Sequence, residues 1–198
     1  MSNAYIFYGK AGSGKGTQAQ LLKTHLESQG RSVVYIETGG LFRNFVETNT
    51  GFSAQRTKTV IESGQLMPAF FPIYLWSQAM IEHFNGTQDL ILDGVTRRIE
   101  EAPILESALD FFQIEKKIIF NIHINDTVAQ ARLLMRADDR PDDADPVKIQ
   151  KRLDWYNEKV LPVLEYFKQN NTMTMCDIDG EPDVAQVQSQ VLEFLDKI

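Results

Sequence analysis

Gly9-Lys10-Ala11-Gly12-Ser13-Gly14-Lys15-Gly16-Thr17 decides how this chain is read. The run before it, Tyr5-Ile6-Phe7-Tyr8, has the character of a buried strand. Residues 18–29 after it place Ala19, Leu22 and Leu26 on one helical face. Strand, glycine loop, lysine and helix form the layout of a phosphate-binding loop. Glycines let the backbone fold around an anion so that several N–H groups point inward. The helix N-terminus adds partial positive charge, and Lys15 adds a full one. The general pattern puts Ser or Thr directly after the lysine. Here Gly16 fills that slot and the hydroxyl comes at Thr17.

Composition bounds the rest. The chain has 198 residues, 43% hydrophobic and 24% charged, which suits one α/β domain with a full core. Its net charge of −7 argues against a nucleic-acid partner gripped through the phosphate backbone. An anionic ligand must be held by local clusters of Arg and Lys. The single cysteine, Cys176, rules out an internal disulfide and a four-cysteine zinc site, and is expected to be a small buried apolar residue. No secretory signal pattern opens the sequence and no apolar run reaches membrane-spanning length. A soluble cytoplasmic protein is therefore expected, with no membrane partner.

Downstream, residues 32–37 form a second strand rich in β-branched residues. Thr38-Gly39-Gly40 opens a helix carrying Arg43, with Thr38 a candidate cap. Residues 52–63 give another helix, ended by Gly64. Gly64-Gln65-Leu66-Met67-Pro68 then leads into an apolar helix over residues 70–84. Pro68 suits the first helical position, and a bend is expected near Pro72. Leu90-Ile91-Leu92-Asp93-Gly94 is a strand ending in a carboxylate. Ligands gather at such strand ends in parallel sheets, so Asp93 sits where a water-bridged magnesium ion would lie. Residues 118–124 form a further strand, with His123 read as structural. Asp126 is expected to cap the next helix, which bears Arg132 and Arg136 one turn apart. The most polar segment, residues 137–145, contains Arg140. Pro146 begins a long helix carrying Arg152, with a kink expected at Pro162. A last strand (172–178), the turn Asp179-Gly180-Glu181-Pro182 and an amphipathic helix complete the chain.

Gly-Lys-Gly-Thr-Gln at residues 14–18 resembles the loop of adenylate kinases and their nucleoside monophosphate kinase relatives. The resemblance runs from Gly9 to Gly180, with its motifs in order. It implies a three-layer P-loop α/β fold with a central parallel five-stranded sheet. It also implies a core of residues 1–37, 81–131 and 146–198, a monophosphate-binding part near 38–80 and a short lid near 132–145. The lid has no room for a β-domain and no zinc cysteines.

The implied activity is transfer of the γ-phosphoryl group of Mg·ATP to a nucleoside monophosphate. Gly12, Ser13, Gly14, Lys15, Gly16 and Thr17 would hold ATP phosphates. Arg132 would stack on the donor base, and the backbone at Gly180 would touch the donor adenine. Thr38, Gly39, Arg43, Gln65, Met67, Gly94, Arg97 and Glu101 would form the acceptor site. Lys15, Arg97, Arg136, Arg140 and Arg152 would surround the transferring group. The roles of Arg136 and Arg140 are interchangeable, because Arg136-Ala137-Asp138-Asp139 and Arg140-Pro141-Asp142-Asp143 fit the same pattern. The family's Asp-Gly-Phe-Pro-Arg stands here as Asp93-Gly94-Val95-Thr96-Arg97, and Gly40 stands where the family usually has an acid.

Glu101 matches a position where adenylate kinases usually carry a base-reading glutamine. An ionised carboxylate only accepts hydrogen bonds, which suits guanine better than adenine. Thr38 and the overall resemblance favour AMP as acceptor, with GMP second and CMP or UMP after it. A glutamate solvated on its helix is the bland alternative. Mg²⁺ carried by ATP is the expected cofactor, without zinc, and a monomer is the family default. Two other classes remain open: a small P-loop kinase for a sugar or shikimate-like acid, and a nucleotide switch without turnover.

Overall fold

The computed structural model describes residues 2–135 and 145–198. Five strands make one sheet: β1 (Asn3–Gly9), β2 (Val33–Glu37), β3 (Asp89–Asp93), β4 (Lys116–His123) and β5 (Thr174–Asp179). The spatial order is β2-β3-β1-β4-β5, and every pairing is parallel. This is the expected three-layer P-loop arrangement. All strands point their carboxyl ends to one edge, so Gly9, Glu37 and Asp93 arrive there together.

Alternation along β1 sorts the core into two layers. Tyr5 and Phe7 face α1 (Lys15–Ser28) and α9 (Val184–Leu195), packing with Ala19, Leu22, Leu26, Val187 and Val191. Ala4, Ile6 and Tyr8 face the opposite layer. That layer comprises α4 (Phe70–His83), α5 (Ala102–Phe111) and α8 (Leu161–Asn170), with Trp76, Leu105 and Phe167 fully buried. Cys176 is buried under α9, as expected of a small apolar residue, and burial raises its thiol to about 11.

Two smaller clusters sit at the carboxyl edge. Helices α2 (Thr38–Thr48), α3 (Phe52–Glu62) and α4 share one around Phe42, Met67, Leu75 and Phe71. Helices α6 (Asp126–Met135) and α7 (Pro146–Trp155) share the other, through Ala129, Leu133, Ile149 and Leu153, with Ala11 of the glycine loop packed into it.

Several local expectations change. Asn125 caps α6, its side chain accepting from the Val128 N–H at 2.9 Å, while Asp126 becomes the first helical residue. Thr38 is likewise inside α2, with Glu37 at the capping position. Pro68 lies two residues ahead of α4, whose Phe71 N–H bonds to the Pro68 carbonyl. Pro72 falls in the first turn of α4, where a missing N–H costs no helical bond, and the helix runs on through it to His83. The long helix expected after Pro146 is interrupted before Pro162: a π turn (Tyr156–Val160) separates α7 from α8. Pro162 then sits in the first turn of α8. The last strand is shifted toward the C-terminus by its pairing with β4.

Candidate active site

The site is built on the loop from Gly9 to Gly14. Gly12 has φ +83, and a Cβ there would lie 2.7 Å from the Ala129 carbonyl. The loop therefore rests directly on α6. The Lys10 ammonium adds an ion pair to Asp126 at 2.5 Å, fixing the loop to the start of the same helix. Gly14 lies just ahead of α1, and Lys15 is its first residue. Lys15 Nζ lies 3.5 Å from the Lys10 carbonyl. A Cβ on Gly16 would come within 3.0 Å of Asp93 Oδ2. A side chain in the slot after Lys15 would crowd the Asp93 carboxylate, and glycine leaves that contact relaxed.

Asp93 ends β3 beside the loop and is 5% exposed. Its Oδ2 accepts from the Tyr35 hydroxyl at 3.2 Å, and its buried Oδ1 has no hydrogen-bond partner. Burial raises its pKa; Lys15 opposes the rise and Glu37 adds to it. A buried carboxylate oxygen with no protein partner fits a ligand such as a hydrated hard cation.

The chain then reverses through Gly94 (φ +66) and Thr96 (φ +56), a conformation rare for a β-branched residue. The turn brings the Arg97 Nε back to the Gly94 carbonyl at 2.8 Å, with the guanidinium 5.8 Å over the Trp155 ring. Burial lowers the Arg97 pKa, and Asp93 opposes that fall. Arg152, half-buried on α7, adds its charge to the same place.

Arg98 donates through Nε to the Met67 carbonyl at 2.9 Å and through Nη2 to Leu66 at 3.4 Å. It fixes the loop in which Gln65 is exposed and Met67 is buried. Glu101 ends a 3₁₀ turn (Ile99–Glu101) ahead of α5 and is only 1% exposed, which overturns the solvated reading. Its Oε2 has no partner. Burial pushes its pKa up to about 7, against the backbone N–H groups and charges of Arg97 and Arg98.

On α2, Thr38 is buried with its hydroxyl unpartnered, Gly39 follows, and Arg43 pairs with Glu37 at 2.9 Å. On the far side of the loop, Ser13 Oγ is also buried and unpartnered, while Thr17 is exposed. Arg132 donates to the Gly180 and Glu181 carbonyls at 2.8 and 3.0 Å, so the two positions expected at the donor base do meet. Arg136 and Arg140 lie outside the described residues. Exposed His123 and Asp177 pair at 2.7 Å, and the buried Asn121 amide donates to Asp177 at 2.8 Å. Among the described residues, no three His, Cys, Asp or Glu side chains gather into a metal-binding group. None of their helices is long and apolar enough to cross a membrane.

Four residues outside the expected set shape this site: Glu37, Tyr35, Arg98 and Trp155. Their roles come from register and long-range contact. Only the doubled arginine at 97–98 leaves a mark in the sequence.

The family model described as adenylate kinase matches residues 7–172. The chain belongs to the adenylate kinase family. An adenylate kinase of Corynebacterium urealyticum is 30% identical over 97% of this chain and 98% of its own length. One of Prochlorococcus marinus is 30% identical over 96% and 97%. Adenylate kinase 1 of a Nostoc species is 32% identical over 92% of each chain. The family makes this chain a nucleotide-binding phosphotransferase of the nucleoside monophosphate kinase type.

Proposed function

We propose that this enzyme transfers the γ-phosphoryl group of Mg·ATP to AMP, giving two molecules of ADP. One observation carries the reading. The carboxyl ends of β1, β2 and β3 bring Lys15, Asp93, Arg97 and Arg43 to one edge, beside buried polar atoms that have no partner within the protein. Phosphoryl transfer asks for this: two polyanions held in line, and spread negative charge stabilised.

In this reading Gly12, Ser13, Gly14, Gly16 and Thr17 cradle the donor phosphates, and Lys15 binds their outer oxygens. Arg132 and the Gly180 backbone form the edge of the donor base site. Arg43 and Arg97 hold the acceptor phosphate, with Gly39 and Gly94 allowing close approach. Arg152, Arg136 and Arg140 close around the transferring group. Magnesium, when carried in by the nucleotide, neutralises phosphate charge, and Asp93 would hold it through water. The acceptor oxygen is already ionised, so no general base is required.

The core spans 1–37, 81–131 and 146–198. The acceptor part is 38–80 and the lid 132–145, whose closure excludes water. The enzyme is read as a cytoplasmic monomer that needs no zinc.

Thr38, Gln65, Met67 and Glu101 frame the acceptor base. A buried carboxyl titrating near neutrality changes the choice of base. Protonated, it both donates and accepts, as a glutamine amide does, and matches N1 and N6 of adenine. Ionised, it matches the N1 and N2 donors of guanine, which keeps GMP as the second acceptor. A coupled assay with Mg·ATP and each common monophosphate tests the reading. Turnover above about 1 per second is expected with AMP. Slow ATP hydrolysis alone, with every acceptor, would overturn it.

A further inference from the structure

Glu37 ends β2, and its partner across the β2–β3 ladder is Asp93. Paired positions on neighbouring strands lie about 5 Å apart and face the same side. Tyr35 marks that side, since its hydroxyl reaches Asp93 Oδ2. Two carboxylates thus stand at the cleft beside the Lys15 loop. One of them, Asp93, is 5% exposed with Oδ1 unpartnered. Glu37 turns instead over the first turn of α2, accepting from Arg43 at 2.9 Å. A Cβ on Gly39 would lie 3.1 Å from its Oε1, and a Cβ on Gly40 would lie 3.2 Å from its Oε2. The two glycines leave the room that this carboxylate fills. Both partners of the pair are partly exposed, so solvent weakens it and exchange is easy.

We propose that Glu37 is an exchange carboxylate, pairing with Arg43 while the acceptor pocket is empty and joining Asp93 on the hydrated magnesium of the donor once the acceptor phosphate has taken Arg43. The inference rests on the reading above in assigning the acceptor phosphate to Arg43. A phosphate dianion competes well with a carboxylate for a guanidinium. Freed Glu37 beside Asp93 is repelled unless a cation lies between them. Acceptor and metal therefore favour one another's binding, and the coupling is reciprocal.

Mn²⁺ serves as the probe, its free concentration followed by electron paramagnetic resonance. Its affinity is measured for the protein with a non-hydrolysable ATP analogue, with and without AMP. In the unaltered protein AMP should tighten Mn²⁺ binding by about fivefold or more, the low end of site-to-site coupling. In Glu37→Gln that effect should vanish, while AMP binds the metal-free protein more tightly than before. Glu37→Ser should behave the same way and replaces the glutamine variant if that one does not fold. Undiminished coupling in both variants, or weaker AMP binding without metal, overturns the inference. If the unaltered protein binds AMP without coupling, only this inference falls. If it binds no AMP, the acceptor reading falls with it.

Discussion

The indole N–H of Trp155 donates to the Gly64 carbonyl across 3.2 Å, tying α7 to the loop that carries Gln65 and Met67. The same ring lies under the Arg97 guanidinium. One side chain thus sets the distance between that loop and Arg97, proposed above to hold the acceptor phosphate. Trp155→Phe keeps a ring and loses the donor. The acceptor KM should rise about 3- to 10-fold, the value of one hydrogen bond, with kcat changing less. An unchanged KM would show that the loop is held by Arg98 alone.

Lys15→Met should lower turnover at least about a hundredfold, about 2.7 kcal/mol of transition-state stabilisation. The melting temperature should stay within a few degrees, because Lys15 stands at the cleft edge of the core. Single-turnover kinetics beside a thermal melt separate the two effects. Near-full turnover would remove Lys15 from its assigned place.

Arg97→Ala should cost a similar factor in turnover. It also removes the bond to Gly94 and the contact with Trp155, so a modest loss of thermal stability should accompany it. Full turnover in a folded Arg97→Ala protein would overturn its role at the acceptor phosphate.

Glu101→Gln should raise the AMP-to-GMP ratio of kcat/KM by about tenfold or more at pH 8, where the native carboxyl is ionised. At pH 6 the two proteins should converge, because the native carboxyl titrates near 7. Stability gives an independent readout. The folded protein retains a proton that the unfolded chain loses from about pH 4.5 upward. The contribution of Glu101 is therefore full below pH 4.5 and is lost as pH rises through about 7. Relative to Glu101→Gln, the unaltered protein should weaken over that window, by on the order of 1–3 kcal/mol. Denaturant melts at several pH values measure it, and parallel profiles would show that Glu101 does not titrate there.

Elemental analysis of the purified protein should find no stoichiometric zinc, since one cysteine and scattered histidines cannot build a tetrahedral site. One zinc per chain would overturn the short-lid reading.

The glycine loop and the β-branched runs were legible because each is a local pattern with one structural meaning. Asp93 was legible because a carboxylate at the end of an apolar strand lands at the ligand edge of a parallel sheet. The pairing of Glu37 with Arg43 was not, because it depends on where two turns of α2 point relative to β2. The cap of α6 reads one residue late, at Asp126, because residue type alone does not fix which of two adjacent polar side chains turns back onto the helix. Resemblance alone places Glu101 at the acceptor site; its burial, set by the 3₁₀ turn ahead of α5, has no signal of its own in the sequence. The Trp155 and Arg98 contacts join distant segments, and no spacing rule reaches that far.

The π turn at Tyr156–Val160 has a consequence for the angular phase of the chain. Such a turn holds one residue more than an α-helix would use over the same rise. Winding the same segment as plain α-helix, with no residue removed, would rotate α7 against α8 by about 100°. Both helices would survive, yet Arg152 and Trp155 would swing away from the cleft. The surplus residue acts as a key between two shafts, clocking the arginine of one to the core packing of the other.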